Sequence, residues 1–245
     1  MHAGSSSRAG EAELETLTGR YALPDKAPAQ LRSLAALVAT DPLAPTSTRV
    51  PRAVVHDHLA DSLVALELPE MRAASAIADI GSGAGFPGLP LAIALPHARV
   101  WLIESRAPKA SFLSLAAVSC GISNVEVVHR RVEECRNLTE SFDVVVARAL
   151  GPLDVVAEYA APLMEVGGIL VVWRGGRDAA ADDDAARAGR LLGLEESRSI
   201  PVKPYEEVRD RSLYLMRKLR PTPDRFPRRP GVARRRPLGR ERQSA

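Results

Sequence analysis

Hydrophobic positions along the chain follow two regimes. Residues 9–21 and 27–40 carry apolar side chains at helical spacing, with Leu31, Leu34, Leu37 and Val38 on one face. Residues 1–8, rich in Gly and Ser, predict a loose start, and DPLAPTST (41–48) predicts a loop. A third helix is predicted over 51–67, with Pro51 near its start and Val54, Val55, His58, Leu59, Ser62 and Leu63 sharing a face. From residue 76 the pattern changes to short continuous apolar runs: AIADI (76–80), ARVWLIE (98–104), NVEVVH (124–129), FDVVVAR (142–148) and GGILVVW (167–173). Helical stretches at 87–95, 108–119 and 152–164 fall between them. Strands apolar on both faces, alternating with helices, predict a parallel sheet covered on both sides. Beyond residue 174, GGRDAAADDDAARAG reads as a polar linker or loose helix, its acidic run solvated. SRSIPV (197–202) and SLYLMRKL (212–219) then follow each other without a crossover helix, which predicts an antiparallel hairpin. The expected organisation is a helical cap (1–72), an α/β domain (73–220) and a tail (221–245).

Composition narrows the class. With 245 residues, 46% hydrophobic, the chain can bury a core without staples and is not disordered throughout. Its two cysteines, Cys120 and Cys135, exclude a disulfide scaffold, and no Cys/His cluster has zinc spacing, so no metal is expected. The opening segment lacks the apolar stretch of a secretory leader, and no run approaches a membrane span, so a cytoplasmic protein without membrane contact is expected. The net charge of +3 hides an asymmetry: residues 217–245 carry eleven Arg/Lys against two acids, and residues 1–216 sum to −6. A basic end on an acidic body predicts contact with nucleic acid or another anionic surface.

The segment IADIGSGAGFPGLP (77–90) holds the candidate chemistry. Gly81, Gly83 and Gly85 alternate between a strand and a helix, where glycine permits positive φ and close approach of a ligand. Gly83, Gly85 and Gly88 also satisfy the dinucleotide pattern, so the glycines alone do not separate a nicotinamide site from an S-adenosylmethionine site. Asp79, at the strand end, favours the latter, because a carboxylate there accepts from an ammonium group but repels a pyrophosphate; the alternative is a carboxylate bonding loop amides. The predicted antiparallel hairpin points the same way. Glu104 ends the second strand, 19 residues beyond Gly85, where an acid suits a ribose diol in either kind of site.

DIGSGAGFPGLPLAIA (79–94), LIESRAPKASFL (102–113), NVEVVHRRVEE (124–134), FDVVVARAL (142–150) and GGILVVWRGG (167–176) together resemble the RsmG family, bacterial small-subunit rRNA methyltransferases also called glucose-inhibited division protein B. His58-Leu-Ala-Asp61-Ser62 resembles the family's His-x-x-Asp-Ser element, and FPRRPGVARRRPL (226–238) its Pro/Arg-rich terminal signature. The resemblance spans about residues 50–238. It implies a class I S-adenosylmethionine-dependent methyltransferase (Rossmann-like) α/β sheet with a terminal antiparallel hairpin and an N-terminal helical cap. It implies S-adenosyl-L-methionine as cofactor, with contacts at Gly81, Phe86, Val132, Glu133 and Arg148, the Val132–Glu133 pair flanking the adenine. It implies methyl transfer to N7 of one guanine of 16S rRNA near the decoding centre, on naked rRNA or the 30S subunit. The chain departs from the family at LAPTST (43–48), Asp57, Ala110 and Arg174.

Guanine N7 bears a lone pair and no proton, so attack on a sulfonium methyl needs no general base, only in-line positioning and desolvation. Arg148, at the end of the fourth strand, is the candidate for the reacting centre; the alternative is an ion pair with Glu104, Glu133 or a helix end. Candidate phosphate contacts are Lys109, Arg174, Arg225, Arg228, Arg229, Arg234, Arg235 and Arg236. The prolines among the last six predict an extended backbone clamp in which only Phe226 could stack on a base. His58 and Asp61 lie one turn apart and could bond each other. The cysteines read as packing, and a monomer is expected.

Overall fold

In the computed structural model, residues 3–46, 48–176 and 178–240 are described. The first helix, α1 (Ala3–Tyr21), begins inside the Gly/Ser-rich segment expected to be loose. Helix α2 (Ala27–Thr40) buries Leu31, Leu34 and Val38 completely and leaves Leu37 half-buried at the edge of the apolar stripe. The predicted 51–67 helix is not uniform. It runs as α3 (Pro51–Val54), a π-helical turn (Val55–Ala60), α4 (Asp61–Leu63) and a 3₁₀ turn (Val64–Glu67), followed by α5 (Pro69–Arg72). The wide turn inserts an extra residue into the helical register directly before Asp61, and such insertions recur at functional sites.

The α/β part comprises β1 (Ala76–Ile80), α6 (Gly88–Ala94), β2 (Arg99–Glu104), α7 (Ala107–Ser119), β3 (Val125–His129), β4 (Phe142–Arg148), α8 (Leu153–Ala160), β5 (Met164–Arg174), α9 (Ala179–Leu192), β6 (Leu194–Pro201) and β7 (Ser212–Lys218). These strands form one sheet of order β3-β2-β1-β4-β5-β7-β6. The first five in that order pair in parallel, whereas β7 lies between β5 and β6 and pairs antiparallel with both. The apolar runs became strands, buried along most of their length except at the edge strand β3, whose residues are only half-buried or exposed, and the hairpin closes the sheet as its sequence predicts. Strand order reverses between β1 and β4, the crevice where open α/β sheets bind ligands beyond the strand carboxyl ends.

Two further segments differ from their sequence expectation. The acidic run 178–186 mostly lies in α9, whose Ala185, Ala188, Gly189 and Leu192 recur at helical spacing and are buried. Asp178 caps its start, its carboxylate accepting from the Ala181 N–H at 3.2 Å. Gly189 is required by close packing: a Cβ there would lie 2.4 Å from Met216 Cε. The tail is not a free extended arm through residue 240. Phe226 and Ala233 are buried, and a short helix, α10 (Val232–Arg235), sits against α8. The reason is apolar and electrostatic at once: Phe226 fills a gap beside the core under β4 and α8, and Arg228 reaches the buried Glu158 of α8. Phe226 is therefore a core residue and not an exposed base-stacking platform.

Candidate active site

Parallel register brings the candidate residues to one edge. Asp79 pairs with Leu102 and, on β1's other side, with Val146, so the ends of β1, β2 and β4 deliver Asp79, Glu104 and Arg148 to the switch point. The loop after β1 turns through three positive-φ glycines, Gly81, Gly83 and Gly85. A Cβ on Gly81 would approach Leu150 Cδ1 to 2.5 Å. Gly88, whose backbone is ordinary, is needed for a different reason: its Cβ would lie 2.6 Å from Asp79 Oδ2.

Asp79 is buried, and its Oδ2 accepts from the Gly88 N–H at 3.0 Å. Its Oδ1 is buried and has no hydrogen-bond partner. Burial pushes the carboxyl up to about 7, against which the Gly88 N–H and Arg148 work in the opposite direction. A cationic group brought to this loop would relieve that cost. Glu104 is buried and meets two loops: Oε2 accepts from the Gly83 N–H at 3.1 Å and Oε1 from the Arg106 N–H at 2.8 Å. The Ser105 hydroxyl also donates to Oε1, at 3.4 Å; a carboxylate has about four acceptor positions, so these three bonds leave room for a ligand's hydroxyl.

Beside these lies a cavity of about 400 Å³, within the range of small-molecule sites. Gly81, Val132 and Glu133, expected from the resemblance, and Glu104, expected from its strand end, line it; Asp79, Gly83, Gly85, Phe86 and Arg148 do not, and residues that sequence reasoning missed do: Tyr159 of α8, and Gly231 from the tail. Arg234, expected on nucleic acid, lines it too. Glu133 is buried, and its Oε1 accepts from the Gly231 N–H at 3.0 Å.

Arg148 does not pair with Glu104 or Glu133. Its guanidinium donates to Asp61 Oδ2 at 2.8 Å and to the Asp57 carbonyl at 3.0 Å, and faces His58 Nδ1 at 3.3 Å. Asp61 also accepts at Oδ1 from Arg211 Nε at 3.1 Å, and its carbonyl accepts from the Trp173 indole. His58 and Asp61 therefore meet through Arg148, because the π-helical turn directs both at the β4 end. His58 stacks on Phe86 with ring centroids 4.5 Å apart, and Arg148 lies over the same ring. Desolvation, then the Arg148 charge, lowers the His58 pKa. Both effects favour the neutral imidazole. Its Nδ1, facing a guanidinium, must be the acceptor, so Nε2–H donates to Thr46 Oγ1 at 2.9 Å.

The sequence profile described as rRNA small subunit methyltransferase G matches residues 40–204. The chain belongs to that family. It is 42% identical over 197 residues to the ribosomal RNA small subunit methyltransferase G of Rubrobacter xylanophilus, covering 78% of this chain and 76% of that one. With the same-named protein of Chloroflexus aggregans it shares 44% identity over 198 residues, covering 79% and 82%. Among solved structures, mitomycin 7-O-methyltransferase MmcR superposes with a TM-score of 0.55 at 20% identity, covering 76% of this chain and 60% of that one. The S-adenosylmethionine-dependent methyltransferase SibL superposes at 0.52 and 15%, covering 65% and 55%. The chain spans little more than half the length of these two structures, and the likeness fixes the fold: that of S-adenosylmethionine-dependent methyltransferases.

Within this family member the candidate phosphate contacts divide. Arg174 is ion-paired with Asp182 and lies over the Tyr214 ring, and Arg228 is ion-paired with Glu158, so both charges are neutralised within the fold. Arg225 lies over Phe226; Arg229, Arg235 and Arg236 are exposed. Lys109 is half-buried at the cavity. Cys120 and Cys135 are buried thiols, both pushed up by burial, consistent with packing. Among the described residues no cluster fit for a metal occurs, and no helix is long and apolar enough to cross a membrane.

Proposed function

We propose that the protein transfers a methyl group from S-adenosyl-L-methionine to N7 of one guanine of 16S rRNA near the decoding centre, acting as a cytoplasmic monomer. The observation that carries this reading is the switch-point site itself. A buried carboxylate oxygen without a partner stands at the glycine loop, and a second carboxylate with spare acceptor capacity lines a cavity of about 400 Å³. The relatives named for rRNA methylation supply the substrate class.

The cofactor, when bound, supplies an electrophilic methyl on sulfonium sulfur. Asp79 holds its ammonium group, which also stabilises the carboxylate form of an acid otherwise half-protonated near pH 7. Glu104 accepts from the ribose hydroxyls, and Val132 and Glu133 border the base. Arg148, pinned by Asp61, the Asp57 carbonyl and His58, fixes the β4 end where the acceptor must approach. N7 needs no deprotonation, and His58 has both ring nitrogens engaged, so the site works by orientation and exclusion of water. Arg225, Arg229, Arg235 and Arg236 meet phosphates outside the cavity.

The test is incubation with methyl-labelled S-adenosylmethionine and 30S subunits or naked rRNA from cells lacking the endogenous enzyme, followed by mapping of the label. A single labelled guanine, cleavable by N7-specific chemistry, is the expected result. Cofactor binding with no label on either RNA would redirect the search to another acceptor. No cofactor binding at all would make the protein an RNA-binding relic of the fold.

A further inference from the structure

The sequence predicts a tail that clamps RNA through its phosphates. Its packing points elsewhere. Arg228 anchors the segment outside the cavity: its backbone N–H and Nε both donate to Glu158 Oε1, at 3.1 and 2.8 Å, and its terminal nitrogen binds Glu158 Oε2. Glu158 is buried, so this is a desolvated pair and not a surface contact. At the far end Gly239 is clasped between Arg187, which donates to its carbonyl at 2.7 Å, and Asp154, which accepts its N–H at 3.3 Å. No larger residue fits there, since a Cβ would fall 2.0 Å from the Asp184 carbonyl oxygen. Between these anchors the chain turns at Gly231, φ +78°, and enters α10. That turn aims the Gly231 N–H at Glu133 and lets Arg234 donate to the Leu150 carbonyl at 3.0 Å, from the cavity wall.

We infer that residues 226–240 are a wall of the cofactor site, with Arg234 a binding residue for the nucleoside part of the cofactor and Gly231 fixing Glu133 beside it. The inference rests on the reading of the cavity as an S-adenosylmethionine site. A planar guanidinium held at one edge by Leu150 presents a face suited to a purine ring, which an ammonium does not. If the segment undocks, Glu133 and Glu158 each lose the donors that compensate their burial. Docking and cofactor binding therefore favour each other, and by linkage the cofactor holds the segment down.

The experiment uses the full-length protein and three variants, Arg228→Ala, Arg234→Ala and Arg234→Lys. Calorimetry reads the affinity for S-adenosylhomocysteine. Limited trypsin digestion, followed by mass spectrometry, reads cleavage between residues 225 and 236 with and without that ligand. Arg234→Ala is expected to weaken binding about fivefold, the size of one cation–ring contact, and Arg234→Lys, which keeps the charge and loses the planar face, about threefold. Arg228→Ala, which lies outside the cavity, is expected to weaken it about threefold by undocking the wall. The ligand is expected to slow wild-type cleavage severalfold. Arg234 is exposed, so its variants remain informative if Arg228→Ala does not fold. Wild-type binding with Arg234 variants unchanged within twofold, and cleavage indifferent to ligand, would overturn the inference alone. Failure of the wild type to bind would overturn the reading of the cavity and the inference with it.

Discussion

Replacing Asp61 by Ala should cost both stability and the geometry of the β4 end. The Asp61 side chain is 5% exposed and that of Arg148 16%, so their 2.8 Å bond is a buried ion pair. Removing one partner of such a pair leaves the other charge uncompensated, at a cost of about 3–5 kcal/mol. The Asp57 carbonyl still accepts from Arg148, which places the expected loss at the lower end. The second pair adds little, because Arg211 is 36% exposed and pairs of that kind contribute ~1 kcal/mol or less. The Asp61 carbonyl keeps its bond from Trp173, so the backbone stays anchored and the effect belongs to the carboxylate. We therefore expect a loss of about 3 kcal/mol, which for a chain of this size lowers the melting temperature by about 6–12 °C. Urea titration of wild type, Asp61→Ala, Arg148→Met and the double variant supplies a thermodynamic cycle. The double variant should be less destabilised than the sum, with a coupling of about 2 kcal/mol, and cofactor affinity should fall no further in it than in Arg148→Met. A loss under about 1 kcal/mol with negligible coupling would mean that Arg148 does not depend on Asp61, and the positioning argument would fail.

Three other outcomes follow from the site and its scaffold. Because Asp79's carboxyl is raised to about 7 in the fold, the unfolded chain releases its proton first, and the free protein should lose stability as pH rises from about 4 to about 7. Asp79→Asn should remove that slope in urea titrations at several pH values and abolish tight cofactor binding, while the wild type binds better at pH 8 than at pH 6. Gly88→Ala places a methyl 2.3 Å from Leu102 Cδ2 and against Asp79; cofactor affinity should fall at least about tenfold, measured by calorimetry, with a lower melting temperature. Lys218, fully buried, donates to Glu140 and to the Ala161 and Met164 carbonyls, so Lys218→Met should cost about 2–4 kcal/mol in urea unfolding without weakening cofactor binding at the opposite end of the strands.

What the sequence determined by itself was local. Continuous apolar runs such as VVVA in β4 specify buried strands, because they are short and β-branched and a parallel sheet covered on both sides hides consecutive side chains alike. Asp79, the alternating glycines and Glu104 were legible because a strand end followed by a tight turn places their backbone and side chains whatever lies around them. The tertiary structure decided the partners. Arg148 meets Asp61 across 87 residues, and no local pattern chooses Asp61 over Glu104 or Glu133; the π-helical turn and the packing of the cap on β4 and β5 choose it. The acidic run became a packed helix because small residues at every third or fourth position fit against Met216 and Leu194, a match invisible until β6 and β7 are in place. The tail looked like a solvated arm because its charges are many and its apolar residues few. It docks because Phe226 finds the core and Arg228 a desolvated carboxylate 70 residues away, and a pairing at that separation is set by the assembled fold and not by spacing along the chain.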